Sequence, residues 1–157
     1  LLRDPVERAD SHYRMRRGRN EEPRTLIDSI NKWKSYIEKE EQQALESVHT
    51  QMLNHQKYSY CQRGEYARQI KRWFKFFKRD QFLFIQSEQF FQKTQETLDQ
   101  ISRFLGVESE IIHDTRIYNR GNLETKMTTA ERDFLREYFK PHNDELFKLL
   151  DQRFNWQ

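Results

Sequence analysis

A mixed α/β architecture in which helices dominate is predicted by three observations. Phe82-Leu83-Phe84-Ile85 is an unbroken apolar run bounded by Asp80 and by Ser87-Glu88, the pattern of a fully buried, parallel-type strand. Leu1-Leu2-Arg3 runs directly into Asp4-Pro5, as the end of a strand that begins before the first residue and feeds a helix. Most of the remaining chain repeats apolar residues at helical spacing. Parallel sheets need cover on both faces and more than two strands. The pattern therefore describes the later part of an α/β domain; the alternative is an all-helical chain with two odd apolar runs.

Each element has a local reason. Asp4 is a good N-cap, Pro5 suits the first helical position and Glu7 stands third, so a helix should run from Pro5 to about Arg17 and stop near Gly18. A second helix is predicted from Thr25 to about Val48, with Leu26, Ile27, Ile30, Trp33 and Ile37 in one stripe. Residues 49–63 show no period and read as a loop. A third helix, Glu65 to Lys78, should bury Tyr66, Ile70, Trp73, Phe74 and Phe77. After the apolar strand, a helix from Thr94 to Leu105 should turn Leu98, Ile101, Phe104 and Leu105 inward and end at Gly106. Residues 113–127 are polar and contain the turn Asn119-Arg120-Gly121-Asn122. Thr128 and Glu131, in capping-box spacing, open a last helix that should reach Phe139, break at Pro141 and resume to about Leu150.

Composition narrows the class without choosing a function. At 157 residues one domain is the default, and the 35% apolar content is low, with a mean hydropathy of −1.12. Twelve Phe, seven Tyr and three Trp are nevertheless too many aromatics for a disordered chain. No apolar run approaches the ~18–20 residues of a membrane span, and nothing resembles a signal peptide. The single Cys61 excludes an internal disulfide framework and a cysteine-rich zinc module, and no Cys/His ligand spacing suggests a metal. Net charge is +3, unevenly placed: residues 63–79 hold seven basic residues against Glu65 alone. Such a stretch is either a solvated helix face or an attractor for phosphate and sulfate groups.

The junction where a strand becomes a helix carries the chemistry. Free backbone N–H groups and the positive end of the helix dipole favour an anion there. Arg3 at the junction suits a bidentate contact to a phosphate, and Ser11, two turns on, offers a hydroxyl donor. On the residues alone, the stronger reading is a surface arginine at Arg3 and a helix-face serine at Ser11.

The segment LLRDPVERADSHYRMRRG resembles the 3′-phosphate-binding motif of sulfotransferases that use 3′-phosphoadenosine 5′-phosphosulfate (PAPS). RGEYARQIKRWFKFF, QFLFIQSEQF, TLDQISRFLGV and MTTAERDFLREYFKPHNDELFKLL resemble later blocks of the same family, in the same order, closest to its glycan-type and bacterial branches. The resemblance implies that Arg3 and Ser11 hold the donor's 3′-phosphate, and that Arg120 and Gly121 are the basic-Gly pair of a loop closing over the nucleotide. Asn119 departs from a residue that is basic in some branches. Ser87 falls where some members carry Tyr, so no adenine contact is carried over to it, and Glu88 is expected to cap the following helix.

The implied fold is the C-terminal portion of a P-loop-like parallel-sheet sulfotransferase domain, mostly helical, with residues 1–157 as an incomplete domain. The family's 5′-phosphosulfate loop and its general base have no counterpart here. His12, His49, His55, His113 and His142 match no catalytic position of the family. The implied activity is sulfuryl transfer from PAPS, without a metal, to a hydroxyl or amine of a carbohydrate or small molecule, with this segment alone expected to be inactive. The rival reading is a non-catalytic, basic helical module that grips nucleic acid or acidic glycan. Residues 49–62, with His49, His55, Lys57, Tyr58 and Tyr60, are candidates to line the acceptor cleft. Sparse cysteine points to the cytoplasm, and an anchor in a preceding segment would point to the Golgi lumen instead.

Overall fold

The computed structural model describes residues 1–47, 49–113 and 126–156. Its helices are α1 (Pro5–Gly18), α2 (Leu26–Glu46), α3 (Leu53–Tyr58), α4 (Tyr66–Trp73), α5 (Ser87–Gln92), α6 (Thr94–Leu105) and α7 (Thr129–Leu150), with single 3-10 turns at Gln62–Gly64 and Arg79–Gln81. The locally encoded starts form as predicted. Asp4 Oδ1 accepts the Val6 amide at 2.8 Å, and the Thr25 hydroxyl accepts the Asp28 amide at 3.2 Å. Thr128 and Glu131 close a reciprocal capping box. Gly106 ends α6 at φ 70°, the left-handed conformation that glycine adopts at no steric cost.

Two apolar clusters make the core, and α7 belongs to both. In the first, Val6, Ala9 and Tyr13 of α1 meet Leu26 and Ile30 of α2, Tyr60, Cys61, and Leu135 and Phe139 of α7. In the second, Leu2 meets Tyr66, Ala67 and Ile70 of α4, Leu146 and Leu150 of α7, and Phe154. The break expected at Pro141 does not occur: α7 is continuous from Thr129 to Leu150. A helical proline costs about 3 kcal/mol. Burying four large side chains at about 1.5–3 kcal/mol each, two on either side of Pro141, outweighs it.

Other expectations need correction. The apolar run 82–85 is extended, but only Ile85 is buried, and its pairing with the N-terminal segment is one parallel bridge between Leu2 and Gln86. Among the described residues there is no longer ladder. The third predicted helix stops at Trp73 rather than Lys78. From there the chain tightens into i→i−3 bonds, Lys75 to Arg72 and Phe76 to Trp73, as clustered aromatics with poor helix propensity permit. Trp73 and Phe77 are exposed instead of buried, and so are Phe104 and Leu105 of α6. Residues 49–63 are not a plain loop; they contain α3 and a 3-10 turn.

Candidate functional site

The strand-to-helix junction is fixed by its main chain. The Leu2 amide donates to the Ile85 carbonyl and the Ser87 amide donates to the Leu2 carbonyl, each at 2.8 Å. The Tyr66 hydroxyl donates to the Arg3 carbonyl at 3.0 Å, and the Asp4 amide donates to Glu88 Oε1 at 3.0 Å. Glu88 thus braces the junction from within α5, a helix the sequence did not announce, rather than capping the helix that follows. Burial raises the Asp4 carboxyl, against the lowering effect of the Val6 and Glu7 amides. The Arg3 backbone is therefore held by α4, while its side chain is exposed at the start of α1. Ser11 is half-buried two turns along that helix, and no hydrogen bond joins it to Arg3.

Next to this junction runs a cationic face. Arg8, His12 and Arg16 recur every four residues on α1, and Arg63 of the 3-10 turn Gln62–Gly64 approaches them. Burial first, then the charges of Arg63, Arg8 and Arg16, push His12 down to about 4, against a hydrogen bond to the Lys57 main chain that favours its charged form. Burial also lowers Arg8, with Arg63 and Arg3 close enough to add to the effect. Arg8 Nη1, His12 Nδ1 and Arg16 Nε are buried without a hydrogen-bond partner. The rest of Arg16 is engaged, by Glu21 at 2.7 Å and by the Tyr58 ring at 5.3 Å. Arg63 Nη2 donates to the Gln56 carbonyl at 2.9 Å, and the His12 ring meets the Tyr60 ring edge-on at 4.9 Å. The 8–12–16 spacing is visible in the sequence; the approach of Arg63 is tertiary and was not.

Arg120 and Gly121 lie outside the described residues. Residues 49–62 divide between core and surface: Met52, His55 and Gln62 line an open cavity with Arg63 and Arg68, and His49 and Lys57 are exposed. Tyr60 is fully buried, Tyr58 stacks on Trp33 with centroids 4.0 Å apart, and His55 pairs with Glu41 at 3.2 Å. Among the described residues no group of three or more His, Cys, Asp or Glu side chains is placed to hold a metal, and no helix is long and apolar enough to cross a membrane.

The sulfotransferase domain model matches residues 1–144, which include the junction, α1 and the whole cationic face. The chain belongs to the sulfotransferase family. A sulfotransferase from Alicyclobacillus acidocaldarius is similar in structure, with a TM-score of 0.67 and 27% identity over 98% of this chain. Its fold is the sulfotransferase fold, and this chain spans 53% of its length. The bifunctional heparan sulfate N-deacetylase/N-sulfotransferase 1 of Mus musculus is 28% identical over 55% of this chain and 12% of its own length. Both relatives extend well beyond the segment that this sulfotransferase chain shares with them.

Proposed function

We propose that the protein transfers a sulfuryl group from PAPS to a hydroxyl or amine of an acceptor, and that this segment holds the donor's 3′-phosphate through Arg3 and Ser11, with Arg120 and Gly121 closing over the nucleotide. The observation that carries the reading is the junction: an exposed guanidinium on a backbone pinned by Leu2, Tyr66 and Glu88, at the N-terminus of a 14-residue helix. Pre-fixing the backbone lowers the ordering cost of a charge-assisted contact. When bound, PAPS would supply an activated sulfuryl group, released from its 5′-phosphate to an acceptor oxygen or nitrogen that gives up a proton in the exchange. The role of this segment in that step is positioning: it fixes the ribose end so that the sulfuryl group stands in line with the acceptor. The name of the murine relative, which specifies N-sulfation of heparan sulfate, supports a glycan acceptor.

Calorimetry with adenosine 3′,5′-bisphosphate tests the assignment. Arg3→Ala or Ser11→Ala in the intact protein should each weaken binding by about 1.5–3 kcal/mol, tenfold or more. The loss should vanish with adenosine 5′-phosphate, which lacks the 3′ group. Unchanged affinity in both variants, or equal affinity for the two nucleotides in the unsubstituted protein, would overturn it in favour of a basic module without nucleotide preference.

A further inference from the structure

We propose that Arg8, His12 and Arg63, backed by Arg16, form an oxyanion subsite on the flank of α1 that takes a tetrahedral anion of the sulfate or phosphate class. The first support is the state of the polar nitrogens. Three buried nitrogens, one each from residues 8, 12 and 16, share one side of a helix and have no partner among the described residues. An unsatisfied buried guanidinium is strongly unfavourable, and an oxyanion with several lone pairs satisfies such groups together.

The second support is that the acids of α1 are already engaged. Asp10 pairs with Arg14 at 2.8 Å, Glu7 pairs with Arg132 at 2.6 Å, and Asp4 caps the helix. No ion pair reaches Arg8 among the described residues, so the charge balance of this face calls for an anion. A neutral sugar or a nucleobase would leave the guanidinium groups uncompensated, and a cation would be repelled.

The subsite neighbours the Arg3–Ser11 pair but uses different side chains, so it stands whether or not that pair holds a 3′-phosphate. His12 is its built-in reporter. The groups facing the ring are Arg8 and Arg16 of its own helix, Arg63 of the 3-10 turn, the Tyr60 ring and the Lys57 main chain. Burial first, and then the three cations around it, keep the ring neutral. An arriving oxyanion offsets those cations, the ring takes up a proton, and both of its nitrogens become donors.

The test is a pH titration of the His12 ring by NMR in the intact protein, with sodium sulfate or sodium chloride at matched ionic strength. The His12 midpoint, near 4 without sulfate, should rise saturably with sulfate and not with chloride. Arg63→Gln, a change at a half-exposed position, should weaken the sulfate response about tenfold. Arg3→Ala removes a neighbouring charge but no donor of the subsite, so it should weaken that response less than Arg63→Gln does, which separates this proposal from the 3′-phosphate assignment. Adenosine 3′,5′-bisphosphate distinguishes the sources of the anion. If it reproduces the His12 response and displaces sulfate, a nucleotide phosphate fills the subsite; if sulfate still binds in its presence, the anion comes from another molecule. A His12 midpoint indifferent to sulfate, or a response unchanged by Arg63→Gln, would overturn the proposal.

Discussion

Two buried charges show how the same helix-rich scaffold treats opposite needs. The Glu22 side chain is fully buried, and burial alone would raise its carboxyl. The Trp33 indole donates to it at 2.8 Å, and the Arg24 amide and guanidinium at 3.2 and 3.0 Å, and together these hold it below the usual carboxylate range. Arg8 has no comparable set of partners, and this contrast singles it out. The turn that carries Arg63 depends on a residue with no side chain. A Cβ on Gly64 would come 2.7 and 2.9 Å from two ring carbons of Phe139 and 3.0 Å from Cβ of Pro5. Gly64 is therefore what lets the turn carrying Arg63 lie against both α1 and α7. Phe139 is fully buried and has little freedom to give way. Gly64→Ala should destabilise the protein by about 1–3 kcal/mol, read as a lowered melting temperature. An unchanged melt would mean that the ring and the turn separate at no cost.

Among the elements, what could be read in the sequence was whatever is encoded within one turn. Asp4-Pro5, Thr25, Thr128–Glu131 and Gly106 each specify a helix end through their own side chain or backbone, and each end lies where the sequence puts it. Helix α3 was not legible, because its cap belongs to another helix. Glu40 of α2 accepts the Asn54 amide at 3.0 Å, the Asn54 side-chain amide at 2.7 Å and the His55 amide at 2.7 Å. The continuity of α7 through Pro141 was illegible for a related reason: two clusters assembled from distant segments hold it on both sides. The site divides in the same way. Arg3 and Ser11 were found through a local motif, whereas the nearness of the Arg63 charge to His12 depends on a turn packed from elsewhere. Since α3 has no fully buried residue of its own, its cap should matter. Glu40→Ala should cost about 1–2 kcal/mol and speed amide exchange across residues 53–58. Unaltered exchange there would show that packing on α2 suffices.

For the whole molecule, the question is what covers the apolar surface around the extended segment. Phe74, Phe82 and Phe84 form a partly buried aromatic layer, with Phe82 and Phe84 stacked 5.8 Å apart and Phe74 edge-on to Phe82 at 5.1 Å. Phe77 joins that layer at 6.2 Å from Phe82, and Trp73 lies 5.8 Å from Phe77. Both are exposed, as is Phe76 at 73%, so the layer opens into solvent. Large aromatic side chains bury roughly 150–250 Å² each, so three exposed ones approach the ~300–600 Å² patch at the upper end for monomers. Lys71, Arg72 and Lys75 lie among them in sequence and oppose association by charge, an effect that salt screens. Residues 1–157 prepared alone should therefore self-associate, and more so as sodium chloride is raised from 0.05 to about 0.5 M, where the screening length falls to a few ångströms. Light scattering across that range measures it. A monodisperse monomer with a sharp cooperative melt at both salt concentrations would show that the aromatic layer closes on itself.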